Sequence, residues 1–113
     1  IGVGDFNRDD KLDIAISNTG KRNAAIFLGL GNGDFDDPQM YSTGGMSSVS
    51  LAVADINRDN HLDLLIVSDD TGAIDTLLGG FEGFASPSEY PTGSYSVWVA
   101  LADFNHDNEL DMV

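Results

Sequence analysis

Three nine-residue segments of the chain carry the residue types that bind a hard metal ion. Each has oxygen-bearing side chains at its first, third, fifth and ninth places, and the segments begin at Asp5, Asp55 and Asp103. A hard cation such as Ca²⁺ takes six to eight oxygens from carboxylates, amides and carbonyls, at roughly 2.3–2.6 Å. The pattern predicts up to three calcium sites, one in each segment.

The predicted ligands occupy the same places in every segment, namely four side chains and the main-chain carbonyl of the seventh residue. They are Asp5, Asn7, Asp9, Asp13 and the Lys11 carbonyl; Asp55, Asn57, Asp59, Asp63 and the His61 carbonyl; and Asp103, Asn105, Asp107, Asp111 and the Glu109 carbonyl. The alternative is a solvated polar turn in which Asp and Asn side chains bond the nearby backbone. Three copies at nearly constant spacing favour the metal.

Competing chemistries lack essential residues. An EF-hand needs Glu at its twelfth place, where the first two segments have Ile16 and Ile66 and the third has no residue. The side chains of His61 and His106 stand at variable places, so no role is expected for them. No nucleophile elbow, phosphate loop or zinc-protease motif occurs. The chain is therefore predicted not to be an enzyme.

The composition agrees with a cation-binding role. The formal charge is −14, from 19 acidic and 5 basic residues, and nine of the acids are the first-, fifth- and ninth-place aspartates. Clustered carboxylates repel one another unless they gain protons or a cation. No nucleic-acid partner is expected for such a chain, because phosphate binding needs clustered Lys and Arg. No apolar run is long enough to predict membrane insertion, and no cysteine is present.

The segments are parts of a longer repeat, since they begin 50 and then 48 residues apart. Alternating runs at 49–54 and 97–102 precede the second and third segments, and apolar runs at 12–17 and 62–68 follow the first two. Third runs (24–28, 73–78), glycine-rich turns and short fourth runs complete two repeats. Period-two patterns without a helical period predict all-β blades of four antiparallel strands.

With these motifs the chain resembles the FG-GAP/VCBS repeat family, which includes the integrin α-subunit β-propeller. The family's calcium loop, Asp-x-Asp/Asn-x-Asp-Gly-x-x-Asp, is matched at every acidic or amide place, but Asp10, Asn60 and Asn108 replace its glycine. Asp and Asn most readily adopt the left-handed conformation that this glycine supplies. The resemblance implies repeats at 1–48 and 49–96 and the start of a third at 97–113, a partial propeller from a seven-bladed ring.

By the same resemblance, the chain is expected to be a non-catalytic recognition or adhesion module at the cell surface or secreted. Calcium would brace the loop between the first two strands of each blade, and the partners would be neighbouring blades and an unidentified protein or glycan ligand. The alternatives are the propeller part of a secreted polysaccharide lyase, or a lectin. An extracellular location suits weak calcium sites, because calcium is millimolar there.

Two packing predictions can be compared directly with the structure. Val49, Leu51, Val53, Leu64, Ile66, Ile74 and Leu77 are predicted to form one blade core. Trp98 is predicted to pack between blades, with an exposed platform for sugar or protein as the alternative. As a piece of a larger ring, the isolated chain is expected to expose apolar blade faces, and therefore to self-associate or to unfold broadly.

Overall fold

The computed structural model describes residues 1–93 and 95–113, which form ten strands and no helix. The strands are β1 (Gly2–Gly4), β2 (Asp13–Asn18), β3 (Asn23–Phe27), β4 (Gln39–Ser42), β5 (Ser48–Ala54), β6 (Asp63–Ser68), β7 (Ala73–Leu77), β8 (Ser88–Pro91), β9 (Leu101–Ala102) and β10 (Asp111–Met112).

The strands form two four-stranded antiparallel sheets and one short pair. Blade 1 has the order β1-β2-β3-β4, blade 2 has the order β5-β6-β7-β8, and β9 pairs with β10. Each sheet follows chain order, because short connections place consecutive antiparallel strands side by side. The predicted all-β fold with propeller-type blades of four strands is confirmed.

Two apolar clusters pack on opposite faces of blade 2. Leu64 and Ile66 of β6 pack toward blade 1, whereas Leu65 and Val67 pack against Val99 of the third repeat. All four β6 side chains are fully buried. This explains why residues 64–67 of β6 are all apolar, whereas a strand with one solvent-exposed face alternates apolar and polar residues.

The predicted blade core is correct in part. Leu64, Ile66 and Leu77 are buried in the cluster facing blade 1, and Leu51 and Val53 pack against it. Ile74 was assigned wrongly, because it belongs to the cluster on the opposite face.

Val49 was also assigned wrongly, since its side chain is 44% exposed. A register shift between Ser48 and Ser50 makes Val49 the extra residue of a bulge, so the alternation that the sequence suggests is interrupted there.

The third repeat departs further from its predicted pattern. Only Leu101 and Ala102 of the run at 97–102 form a strand. Val97 is exposed, whereas Val99 is buried against blade 2. The predicted packing of Trp98 between blades is wrong for the described residues, because this ring is 76% exposed while its neighbour Val99 enters the core.

Two carboxylates of blade 2 hold the linker that leads out of blade 1. The Asp70 carboxylate accepts hydrogen bonds from the N–H groups of Met46 and Ser47, at 2.9 and 3.1 Å. These bonds lower the pKa of Asp70. The buried Asp75 accepts from Gly44 N–H at 3.1 Å and Gly45 N–H at 3.4 Å. Acidic side chains therefore fix how blade 2 follows blade 1.

Candidate metal centres

The three acidic segments are loops that each join the first two strands of a repeat. Loop 1 is residues 5–13, between β1 and β2. Loop 2 is residues 55–63, between β5 and β6, and loop 3 is residues 103–111, between β9 and β10. The residues between the two strands form bends outside the sheet, so their backbone groups need side-chain or solvent partners.

The first-, third- and fifth-place side chains bond the backbone of their own loop. In loop 1, the Asp5 carboxylate accepts from Asp9 N–H at 3.0 Å and from Asp10 N–H at 2.9 Å. Asn7 Oδ1 also accepts from Asp9 N–H, and Asp9 Oδ1 accepts from Lys11 N–H. Loops 2 and 3 repeat all four bonds at 2.8–3.2 Å. The three loops therefore share one pattern of side-chain-to-backbone hydrogen bonds.

The loops use left-handed backbone at two places. At the sixth place, Asp10, Asn60 and Asn108 have φ of 64°, 64° and 65°. Sequence reasoning expected this conformation where the family has glycine. The fourth place is also left-handed, at Arg8, Arg58 and His106, with φ of 60–64°. The sequence did not indicate this at Arg8 and Arg58, because Arg has no special tolerance for positive φ; of the three residues, only His106 is of a type enriched there.

The sixth place gives a direct test of the loop. We expect Asn60→Gly to fold normally and to bind calcium at least as tightly as the natural loop, because glycine adopts φ near 64° freely. Asn60→Val should cost about 1–2 kcal/mol of stability or binding, since a left-handed backbone crowds a branched side chain. Thermal unfolding in EDTA and calcium calorimetry separate the two effects. Equal stability and affinity for all three versions would contradict this account.

The ninth-place aspartates make a clamp that the sequence did not reveal. Asp13 is fully buried, and its two oxygens accept from Phe6 N–H at 2.7 Å and Gly29 N–H at 2.8 Å. Asp63 does the same with Ile56 N–H and Gly79 N–H, both at 2.8 Å. In loop 3, Asp111 accepts from Phe104 N–H at 2.9 Å. In blades 1 and 2, the clamp ties the start of the loop to the glycine two residues after the third strand.

Glycine is required where the clamp meets the third strand. A Cβ on Gly29 would lie 2.2 Å from the carbonyl oxygen of Leu12, and one on Gly79 would lie 2.2 Å from that of Leu62. Real Cβ atoms do not approach a backbone oxygen so closely. The Leu-Gly pair at the end of the third run of each repeat is the sequence feature from which this contact could have been predicted, and it was not used.

The carboxylates of a loop differ in their electrostatic surroundings. Burial raises the pKa of Asp63, and the nearby charges of Asp59 and Asp55 raise it further, against the hydrogen bonds from Gly79 and Ile56. The backbone hydrogen bond from His61 lowers the pKa of Asp59. A hydrogen bond from the Lys11 ammonium, at 3.0 Å, lowers the pKa of Asp9. In loop 2, therefore, Asp63 is harder to ionise than an ordinary aspartate, and the carboxylates of Asp55 and Asp59 lie near it.

The loops lie side by side. Arg58 of loop 2 forms an ion pair with Glu109 of loop 3, with 2.8 Å between Nη1 and Oε1. The charge of Arg8 in loop 1 contributes to the lowered pKa of Asp59 in loop 2. The His61 side chain is buried, with its ring at an edge of the Phe81 ring, 4.5 Å between centroids. Arg8 and Arg58 thus each act on a carboxylate of the following loop.

Comparison with known families agrees with this architecture. The family model for the FG-GAP-like repeat matches residues 5–66, from the start of loop 1 into β6. The chain belongs to the FG-GAP-like repeat family. The match covers more than half of the chain, so this protein is a β-propeller-like repeat module. Searches of curated proteins and of solved structures returned no match. No helix in the described residues has the length and apolar character to cross a membrane.

The donor set of these FG-GAP-like loops fits calcium in kind but is not gathered around one point. Every proposed ligand atom is an oxygen, and a carboxylate or amide oxygen that accepts one N–H bond keeps a further lone pair. Within residues 1–93 and 95–113, no group of three or more acidic or histidine side chains is arranged to hold a metal ion. The first- and fifth-place carboxylates accept hydrogen bonds from the backbone of their own loop. The ninth-place carboxylate instead forms the clamp to the glycine that follows the third strand.

Proposed function

We propose that this FG-GAP-like module binds calcium in its inter-strand loops and serves as a non-catalytic recognition or adhesion unit outside the cell. The observation that carries the proposal is the threefold repetition of one hydrogen-bonded loop, with side-chain oxygens at the first, third and fifth places. The backbone bonds of a single loop would also suit a polar turn; three copies with the same oxygens at the same places and nearly constant spacing favour a metal.

The proposed ligands are those that the sequence predicts, namely the four side chains of each loop and the carbonyls of Lys11, His61 and Glu109. Bound calcium would supply positive charge beside clustered carboxylates, which repel one another without protons or a cation. The ninth-place aspartate has oxygens with spare lone pairs, so ligation and the clamp are compatible in bonding capacity. The metal would be structural, because it would join the two ends of a loop.

A glycan-binding role, as in a lectin or a lyase-associated propeller, is the second candidate. Trp98 and Tyr95 are 76% and 86% exposed, close together in the sequence before β9. Exposed aromatic faces suit sugars and protein partners alike, since they combine a large apolar surface with a polar edge. These two residues are the described feature that favours this candidate.

Calorimetric titration of the 113-residue chain with Ca²⁺ tests the metal assignment. We expect two or three sites, and Asp55→Asn/Asp59→Asn should remove one of them, because each site depends on its own loop. Asp36→Asn/Asp37→Asn is a matched control: it removes the same charge from exposed residues outside the loops and should leave the stoichiometry unchanged. Absence of binding, or equal losses in the two double variants, would refute the proposal.

A further inference from the structure

A buried carboxylate in blade 2 has one oxygen that the fold does not use. Asp75 lies in the middle of β7 and is fully buried. Its Oδ2 accepts hydrogen bonds from the N–H groups of Gly44 and Gly45 and from the Ser68 hydroxyl, at 3.1, 3.4 and 3.2 Å. Its Oδ1 has no hydrogen-bond partner among the described residues. Because a buried carboxylate oxygen without a partner is costly, this atom indicates a ligand that the protein itself does not supply.

A second carboxylate faces the same space. Glu89 of β8 stands directly opposite Asp75 in the strand register. A Cβ on Gly44 would lie 2.5 Å from Asp75 Oδ1 and 2.2 Å from Glu89 Oε1, so the two oxygens converge on one point beside the linker. One small ion next to Gly44 can therefore contact both of them. Glu89 is exposed, so this space opens to solvent on the side of β8.

The pair is unfavourable without a positive charge between its members. Like charges directly opposite one another on neighbouring strands destabilise a sheet, and buried charges in proteins are paired or bound to a metal. Within residues 1–93 and 95–113, neither carboxylate takes part in an ion pair. Asp70, which holds the same linker through Met46 and Ser47, adds a further negative charge nearby. The surroundings of the pair therefore favour a cation.

The two acids are particular to blade 2 and are not part of the repeat pattern. In blade 1 the equivalent pair of β3 and β4 is Ala25 opposite Met40. Blade 1 nevertheless forms the same four-stranded sheet. A blade therefore folds without acids at these two places, and the hydrogen bonds that hold the linker use only the other oxygen of Asp75.

We propose that Asp75 and Glu89 bind one calcium ion beside the linker between the blades, at a site separate from the three loops. The two carboxylates would be its protein ligands, and water would complete the shell on the exposed side. Calcium suits the site better than magnesium, because an ion must give up water to reach the buried Oδ1 and magnesium dehydrates reluctantly. The inference goes beyond the proposed function, since neither ligand lies in a loop.

Titration of the isotope-labelled 113-residue chain with Ca²⁺, followed by NMR, tests the proposal. The amide signals of Gly44 and Gly45 report on the site, because both N–H groups donate to the Asp75 carboxylate. We expect saturable shifts with half-saturation near about 1 mM, since a small number of protein ligands gives weak affinity. The linker precedes β5 and loop 2 follows it, so the loop amides report separately on the loop sites. NaCl at equal ionic strength should not produce the linker shifts.

An exposed variant and a matched control locate the site. Glu89→Gln should weaken the calcium affinity measured at the linker amides at least about tenfold, because affinity depends on the charge of the ligands. The calcium response of the loop amides should stay unchanged in this variant. Glu82→Gln removes the same charge from an exposed residue of the turn between β7 and β8, and should bind as the natural chain does.

Asp75→Asn separates a metal ligand from a purely structural carboxylate. Its side-chain oxygen can still accept from the linker, and its Nδ2 can donate to Glu89. We expect this variant to be at least as stable as the natural chain in EDTA, yet to show no calcium shift at the linker. Absence of saturable shifts in the natural chain, or equal shifts in Glu89→Gln, would overturn the proposal. Shifts that follow pH but not calcium would also overturn it, because the two carboxylates would then share a proton instead of an ion.

Discussion

Removal of calcium is expected to lower the melting temperature of the 113-residue chain by roughly 10–20 °C for each site that was occupied. A ligand that binds only the folded state adds RT ln(1 + [Ca²⁺]/Kd), about 2.7 kcal/mol at a hundredfold excess over Kd. For a domain of this size, one kcal/mol corresponds to about 4–8 °C. Differential scanning calorimetry in EDTA and in millimolar Ca²⁺ measures the difference.

Two controls separate specific calcium binding from charge screening. Mg²⁺ at the same concentration should stabilise much less, because it demands near-octahedral geometry and retains its waters. The shift should shrink by one site in Asp55→Asn/Asp59→Asn and remain whole in Asp36→Asn/Asp37→Asn. Identical melting curves with and without calcium would exclude a structural metal, whereas equal effects of the two cations would indicate screening.

The repeat pattern predicted the architecture well because it combines two independent periods. The period of two marks strands, and the period near 50 shows which strands are equivalent. Together these predict four-stranded blades and the loop between the first two strands, whereas the left-handed sixth place at Asn60 was expected from the glycine that the resembling family has there. Each of these features depends on local sequence, where residue type and backbone conformation are closely linked.

The features that were missed depend on contacts between distant segments. Val49 has a residue type suited to a strand, but the bulge beside it is decided by how β5 meets β6. Ile74 lies on the face opposite to the predicted one, although its residue type suits either buried face. Burial on both faces removes the alternation from which a face is assigned.

In the candidate sites too, the features set by local sequence were predicted, and those that depend on distant segments were not. The sequence supplied every proposed oxygen ligand, but not the second contact that the ninth-place aspartate makes. Asp63 reaches Gly79, sixteen residues away, and this pairing exists only after β6 and β7 have formed a sheet. A motif defined within nine residues cannot contain it. The aspartate therefore has a structural role that is separate from any metal.

That structural role predicts a large effect from a small substitution. Gly79→Ala should destabilise the chain by about 2–4 kcal/mol, because the new Cβ would lie 2.2 Å from the carbonyl oxygen of Leu62. Moving the strand away would also break the bond from Gly79 N–H to the buried Asp63. Gly29→Ala should have a similar effect in blade 1, where the equivalent distance is also 2.2 Å. Urea unfolding followed by circular dichroism measures both.

The neighbouring residue provides the control for this last prediction. A Cβ on Gly80 would meet only the carbonyl oxygen of Gly83, at 3.6 Å, an ordinary contact, so Gly80→Ala should change stability by less than about 1 kcal/mol. The loss in Gly79→Ala should persist in EDTA, because the clamp joins a carboxylate to backbone N–H groups without a metal. Similar stabilities of the Gly79 and Gly80 variants would show that the third strand can move away from the loop at little cost. A loss seen only in calcium would mean that Asp63 acts through the metal rather than through its own hydrogen bonds.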